Sequence, residues 1–191
     1  ISQGEEFTYR YKNYELETLI LDMFGEHQKE NAALAITALI ELNESGLVEL
    51  DFNKMINGIE AVRWTGRIEK VKDDPLMIID GAHNLESIEA LIKTLKDYYK
   101  IDNVDVLYAA INGKPIHAMV DQLKTIASTM YITDFDFPKA CTKEEIYDEI
   151  RFEQKETVDD FVQFIENYEG QGLVITGSLY FISEVKAKVN F

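Results

Sequence analysis

Two short segments contain side chains of the types that bind nucleotides and phosphate. The first is GEHQKENA at residues 25–32, where Asn31 offers an amide that can hydrogen-bond the edge of a purine. The second is WTGRIE at residues 64–69, where Arg67 offers a planar guanidinium that can hold two phosphate oxygens at once. These residue types therefore suit recognition of a phosphorylated ligand.

A third segment, IDGAHN at residues 79–84, ends an apolar run that predicts a buried strand. Asp80 and His83 come directly after that run, in a turn that opens a helical pattern. In doubly wound sheets, ligands bind at the carboxyl ends of the strands. We therefore expect Asp80 and His83 to lie where a ligand binds.

Each segment taken alone is also compatible with a purely structural role. A histidine before an alanine-rich helix, such as His27, is more often a packing or capping residue than a ligand-binding one. A lone Arg67 is usually part of a surface ion pair. Asp80 can simply form a turn, with Asn84 as the cap of the next helix. The order and spacing of the three segments together are more specific than any one of them.

The charge and composition argue against several classes of protein. The 35 Asp and Glu residues outnumber the 19 Lys and Arg residues, which gives a net charge of −16. Such a field repels phosphate backbones and anionic lipids, so we expect no nucleic acid and no membrane as partner. The longest nearly continuous apolar run, residues 32–40, is far shorter than the roughly 20 residues of a spanning helix. The single cysteine, Cys141, allows no internal disulfide and predicts a cytoplasmic location.

The N-terminal part of the chain predicts two strands followed by helices. Short apolar or alternating runs at residues 7–12 and 16–21 are typical of strands, and they suggest the edge of a larger sheet. Helical spacing follows at residues 28–42 and, more briefly, at residues 53–61. The periodicity then breaks at the WTGR segment, where we place a domain boundary.

From residue 66 onward, strand and helix patterns alternate. Four apolar runs suit buried parallel strands, at residues 77–79, 104–111, 130–132 and 173–176. Helical patterns lie between and after these runs, at residues 86–99, 116–127, 142–149, 158–168 and 179–189. This alternation predicts an α/β fold, a Rossmann-like, doubly wound and mostly parallel sheet with helices on both faces.

Taken in order, the three polar segments resemble the motifs of the folylpolyglutamate synthase family, within the larger class of Mur-type ligases. That family carries Gly-x-His-Gln-x-x-Asn-Ala, then Trp-x-Gly-Arg-x-Glu, then Asp-Gly-Ala-His-Asn, and this chain matches each of them. A fourth segment, ITGSLY at residues 175–180, resembles the Thr-Gly-Ser-Leu-Tyr segment of the same family. The resemblance extends over nearly the whole chain.

The resemblance implies that residues 1–65 are the C-terminal remnant of a central ATP-binding (ATPase) domain. Residues 66–191 are then the C-terminal Rossmann-like ligase domain. The family carries its phosphate-binding loop and its magnesium ligands upstream of these residues. The Gly113-Lys114 pair lacks both the glycine five residues earlier and the following Ser or Thr of such a loop. We therefore expect this chain to be a fragment that is inactive alone and has no metal site of its own.

In that family, ATP and Mg²⁺ are used to activate a γ-carboxylate as an acyl phosphate, which the amine of an incoming glutamate attacks to form an amide. The implied partners are small molecules, namely folate, L-glutamate and ATP. Dihydrofolate synthase activity in the same intact enzyme stays open. By resemblance, the site residues are Asn31 at the adenine, Arg67 at the phosphates, Asp80 at the ribose, His83 beside the transferring phosphate and the glutamate, and Ser178 at the glutamate.

The chain departs from the family pattern at two places. Leu85 follows the Asp-Gly-Ala-His-Asn motif where relatives often have proline, and NGKP at residues 112–115 stands where relatives often have Asp-Lys-Asp. Two alternative functions stay open, namely that of another Mur-type ligase and that of a non-catalytic Rossmann-like binding module. No heptad pattern favours a coiled-coil assembly, so we expect a monomer.

Overall fold

The structure is a computed structural model that describes residues 4–191, and residues 1–3 of the predicted first domain lie outside the described part. The chain divides into two compact units, Ile1–Trp64 and Thr65–Phe191. Each unit has an apolar core of its own. The assignment of the two units to particular domains of a larger enzyme stays a prediction.

The first unit, as far as it is described, is a β-hairpin with two helices packed against it. Strands β1 (Glu5–Tyr11) and β2 (Tyr14–Leu21) pair antiparallel, and helices α1 (Glu26–Glu44) and α2 (Phe52–Glu60) follow. The side chain of Asp51 caps α2 by accepting a hydrogen bond from a backbone N–H of its first turn. The core takes side chains from all of these elements, namely Tyr9, Leu19, Ile36, Ile40 and Met55.

The second unit is built on one sheet, which has six strands within residues 65–191. In chain order they are β3 (Glu69–Asp73), β4 (Leu76–Ile79), β5 (Val104–Tyr108), β6 (Ala127–Ile132), β7 (Lys155–Thr157) and β8 (Gly172–Thr176). Their spatial order is β3-β4-β8-β5-β6-β7. Strand β3 is antiparallel to β4, and the other neighbouring pairs are parallel. The last strand in the sequence therefore lies inside the sheet, between β4 and β5.

Helices cover both faces of this sheet. They are α3 (Leu85–Asp97), α4 (Ile116–Leu123), α5 (Lys143–Glu149), α6 (Phe161–Glu166) and α7 (Leu179–Lys188). On one face, α6 and α7 form an apolar core with strand residues such as Met77, Leu107 and Ile175. Because side chains alternate along a strand, Ile78 and Val106 point to the opposite face, where α4 contacts both α3 and α5. Within residues 4–191, no helix combines the length and the apolar character needed to cross a bilayer.

The predicted α/β fold with a mostly parallel sheet is confirmed, and the four predicted strands form β4, β5, β6 and β8. Strands β3 and β7 were not predicted, because EKVKD and KET carry the polar residues that are typical of sheet edges. The predicted helix at residues 116–127 is wrong at its end, since α4 stops at Leu123 and Ala127 already begins β6. The predicted helix at residues 158–168 is also too long, because Asp160 caps α6.

Candidate functional site

The carboxyl ends of β4 and β8 bring three of the four predicted segments together. These strands are parallel neighbours, with Ile79 opposite Ile175, and the backbone N–H of Asp80 donates to the carbonyl of Ile175 at 3.0 Å. The next residue, Gly81, donates its N–H to the carbonyl of Gly66 at 2.8 Å. The WTGRIE, IDGAHN and ITGSLY segments therefore meet at the carboxyl ends of the parallel strands, where ligands bind in folds of this class.

Two glycines make this close approach possible. A Cβ on Gly81 would lie 2.1 Å from a side-chain carbon of Leu179, in the first turn of α7. Gly177 has φ 114°, and a Cβ there would lie 2.2 Å from the carbonyl oxygen of Ala109. Any larger residue at either position would push the segments apart. The glycines of the Asp-Gly and Thr-Gly-Ser motifs thus have a packing role at this end of the sheet.

Asp80 joins the two turns that carry the candidate residues. Its side chain is buried, and its Oδ2 accepts the backbone N–H of Ile68 while Oδ1 accepts that of Ala82, each at 2.8 Å. Burial raises the pKa of the carboxyl to about 6, although both N–H donors and the charge of Arg67 act to lower it. Since both oxygens already accept a backbone hydrogen bond, Asp80 has a structural role here, and its predicted contact with a ribose stays a prediction.

Arg67 sits between two residues in left-handed conformations, with φ 73° at Gly66 and φ 45° at Ile68. The N–H of Gly66 donates to Oε2 of Glu69 at 2.9 Å, which closes the turn from the other side. In the described part of the chain, the guanidinium of Arg67 makes no direct hydrogen bond or ion pair. The backbone of this turn is fixed, while its cationic group keeps its donors for another partner.

His83 is half-buried in the turn after β4. Its Nδ1 lies 2.9 Å from the carbonyl oxygen of Gly81. A carbonyl oxygen can only accept, so Nδ1 carries a hydrogen and donates it, which leaves Nε2 for another partner. Asn84 caps α3 through a reciprocal capping box with Ser87, so the capping role considered for Asn84 is confirmed.

Ser178 lies at the end of β8, where it caps helix α7. It is buried, and its Oγ accepts the backbone N–H of Tyr180 at 3.2 Å. Its predicted role toward glutamate stays a prediction. Thr176, two residues earlier, was not predicted as a site residue. Its Oγ1 is buried and makes no hydrogen bond within the described part of the chain, and the only sequence sign was its place in the ITGSLY segment.

Asn31, the remaining candidate, belongs to the first unit. It lies on α1 with its side chain exposed. At the start of that helix, the side chain of the buried Gln28 contacts the ring of His27 at 3.0 Å, and the N–H of Gly25 donates to the carboxylate of Glu5 at 2.8 Å. The other predicted site residues belong to the second unit. Across residues 4–191, no group of three or more His, Cys, Asp or Glu side chains is arranged to hold a metal ion.

The chain is similar to a known protein family and to several known proteins. The family described as Mur ligase, glutamate ligase domain, matches residues 66–179. The chain is similar to the dihydrofolate synthase/folylpolyglutamate synthase of Bacillus subtilis, with 34% identity over 97% of this chain and 44% of that protein. It is also similar to the folylpolyglutamate synthase of Lacticaseibacillus casei, with 29% identity over 96% of this chain and 43% of that protein.

The fold is similar to a solved structure, the folylpolyglutamate synthase of Thermotoga maritima. The TM-score is 0.79 at 25% identity, and the match covers 98% of this chain and 45% of that one. The chain therefore spans less than half the length of these relatives. The region matched by the family contains Arg67, Asp80, His83 and Ser178, whereas Asn31 lies outside it.

Proposed function

The chain belongs to the Mur ligase family through its glutamate ligase domain, and on that basis we propose that it is the C-terminal part of an ATP-dependent folate–glutamate ligase. The relatives that match nearly all of the chain are named for this activity. The motifs that support the folate branch occur in both units, at Asn31 in the first and at Arg67 in the second.

The proposed reaction has two steps. The γ-phosphoryl group of ATP passes to a carboxylate oxygen of the folate substrate, which gives an acyl phosphate and ADP. The amine of L-glutamate then attacks the acyl carbon, a new amide bond forms, and phosphate leaves. Phosphoryl transfer of this kind depends mainly on positioning and charge compensation rather than on a covalent protein group.

The proposal rests on one observation, that Arg67 lies on a fixed backbone turn while its guanidinium has no direct partner in the described part of the chain. The N–H groups of Gly66 and Ile68 donate to the carboxylates of Glu69 and Asp80, and the carbonyl of Gly66 accepts from Gly81. A planar cation without a partner, carried on a fixed turn at this end of the sheet, fits the oxygens of a phosphate group. We assign to Arg67 the contact with the phosphates of ATP, where it stabilises the charge that develops during transfer.

The other candidate residues have assignments that follow from their chemistry and from the family resemblance. Nδ1 of His83 donates to the carbonyl of Gly81, which leaves Nε2 for a ligand, and we assign His83 to the region of the transferring phosphate and the incoming glutamate. Ser178 is assigned to the glutamate, Asp80 to the ribose, and Asn31 to the adenine. Mg²⁺ is expected to neutralise phosphate charge, but residues 4–191 offer no cluster of ligands for it. From the family resemblance, we expect its ligands upstream of these residues.

The direct test uses the intact protein with its upstream part, supplied with ATP, Mg²⁺, a reduced folate and L-glutamate. ADP release and the mass of the folate product are measured together. We expect ADP release to require both the folate and L-glutamate, and the product to gain one glutamate residue per ADP. The 191-residue chain alone should release no ADP, because its one Gly-Lys pair does not form a phosphate-binding loop.

Three results would contradict the proposal in different ways. ADP release that no folate increases, but another carboxylate does, would indicate another Mur-type ligase. Nucleotide binding by the intact protein without any turnover would indicate a non-catalytic binding module. Turnover of dihydropteroate in place of a folate would assign only the dihydrofolate synthase activity.

A further inference from the structure

Glu69 is bonded in two directions from the start of the edge strand β3. Its Oε2 accepts the backbone N–H of Gly66 at 2.9 Å. Its Oε1 pairs with the ammonium group of Lys186, in the last turn of α7, at 2.6 Å. The side chains of Glu69 and Lys186 are both about one-third exposed, at 32% and 31%. One carboxylate thus links the turn before β3 to a helix that follows it by more than a hundred residues.

The turn that Glu69 holds has an unfavourable backbone. Ile68 is β-branched and has φ 45°, a conformation that is strained for such a side chain. Conformations of this kind persist only when the surrounding structure fixes them. The fixing contacts stand on either side of Arg67: Glu69 accepts the N–H of Gly66, and Asp80 accepts the N–H of Ile68.

The same turn packs against α7. A Cβ on Gly66 would lie 2.9 Å from a side-chain carbon of Ile182, which faces the turn from the middle of that helix. Lys186 is one helical turn further along, where it pairs with Glu69. Glu69, at the start of β3, therefore links the backbone turn that carries Arg67 to helix α7.

We propose that Glu69 is a positioning residue for the ligase reaction, which fixes the direction of the Arg67 guanidinium by bracing its turn against Lys186 of α7. This inference rests on the proposed function of Arg67 at the phosphates. A partly exposed ion pair contributes little to global stability. The contact should therefore matter more for turnover than for folding, and this difference separates positioning from ordinary stabilisation.

The first test measures turnover of the intact ligase. We expect Glu69→Ala to lower kcat about tenfold or more with a smaller change in KM, because a displaced cation compensates charge poorly in the transition state. Glu69→Gln keeps a carbonyl acceptor for the N–H of Gly66 and should recover part of the loss. The matched control is Asp73→Asn, which breaks the 2.6 Å pair with Lys70 on the same strand but does not touch the turn. It should leave kcat unchanged.

A double-mutant cycle then asks whether Glu69 acts through Arg67. In an Arg67→Ala background, adding Glu69→Ala should change kcat by less than about twofold, since the group to be positioned is gone. Additive losses would overturn the proposal, and so would a normal kcat for Glu69→Ala. A fall in kcat that Asp73→Asn reproduces would also overturn it.

The second test needs no enzymatic activity and uses the 191-residue chain. Hydrogen exchange of the Gly66 amide should become about tenfold faster in Glu69→Ala and remain unchanged in Asp73→Asn. Lys186→Met, which removes only the ion pair, should give an intermediate rate. If the intact protein shows no ligase turnover, the proposed function fails. Hydrogen exchange at Gly66 then still tests whether Glu69 fixes the turn. Unchanged exchange at Gly66 in Glu69→Ala would then overturn it.

Discussion

The two units hold their candidate residues in different ways. In the second unit, Asp80 is only 4% exposed and both of its oxygens accept backbone hydrogen bonds. In the first unit, Asn31 lies exposed on α1, and Leu34 and Leu47 are 69% and 75% exposed. The second unit thus holds the side chain of Asp80 through tertiary contacts, whereas the position of Asn31 depends on one helix.

This difference indicates which of the candidate residues have preorganised surroundings. A group fixed before substrate arrives costs little reorganisation at the moment of reaction, which is the condition for strong electrostatic stabilisation. The backbone that carries Arg67 meets that condition, because its turn is bonded to Glu69, Asp80 and Gly81.

The largest expected effect compares a buried side chain of the second unit with an exposed side chain of the first. Phe181 is fully buried and contacts the rings of Phe135 and Phe161, at centroid distances of 5.5 and 5.3 Å. We expect Phe181→Ala to lower the free energy of unfolding of the second unit by about 3–5 kcal/mol, and Leu34→Ala to change that of the first by less than about 0.5 kcal/mol. Denaturant unfolding of the 191-residue variants measures both. An equal loss for Leu34→Ala would show that Leu34 is packed as tightly as Phe181 instead of being exposed to solvent.

A second effect concerns the buried carboxyl of Asp80. Its pKa is raised from an ordinary value of 3.8 to about 6 by burial, so the folded chain holds this proton more tightly than the unfolded chain. The free energy of unfolding should therefore fall as pH rises from about 4 to about 6, by up to roughly 3 kcal/mol, and level off above that window.

Comparison with two variants isolates this contribution. Asp80→Asn cannot titrate and should lack this part of the pH dependence, whereas Asp73→Asn, which removes an exposed carboxylate, should keep it. Unfolding of the three proteins by denaturant at several pH values checks the slope. The same pH dependence in wild type and Asp80→Asn would show that Asp80 ionises at an ordinary pKa.

The smallest expected effect belongs to Asn31. If its amide contacts the adenine of ATP in the ground state and the transition state alike, Asn31→Ala should raise KM for ATP by the equivalent of about 1 kcal/mol and leave kcat unchanged. Asn53→Ala, an exposed asparagine on α2, serves as the matched control and should change neither constant. Steady-state kinetics of the intact variants measures both constants. A large fall in kcat for Asn31→Ala would show that Asn31, like Arg67, acts in the transition state.

The sequence predicted the central strands because apolar runs such as residues 77–79 and 173–176 report burial directly. It also predicted the turn after β4 and the cap at Asn84. Periodicity reports burial rather than pairing, so it gave no sign that β8 lies between β4 and β5. The contacts that hold the Arg67 turn could not be predicted from the sequence either, because Glu69 pairs with Lys186, which is 117 positions away in the chain.

The central claim is that Arg67 acts on the phosphates of ATP from a fixed turn of the glutamate ligase domain. Its most direct test is the steady-state kinetics of the intact enzyme with Arg67→Ala and Arg67→Lys, with melting temperatures recorded alongside. We predict that Arg67→Ala lowers kcat by about 10² or more, equivalent to roughly 3 kcal/mol, with a smaller change in KM. Arg67→Lys should fall between wild type and alanine, since an ammonium supplies charge without the planar fork. A near-normal kcat for Arg67→Ala, with a stability loss below about 1 kcal/mol, would reduce Arg67 to a surface cation and contradict the account.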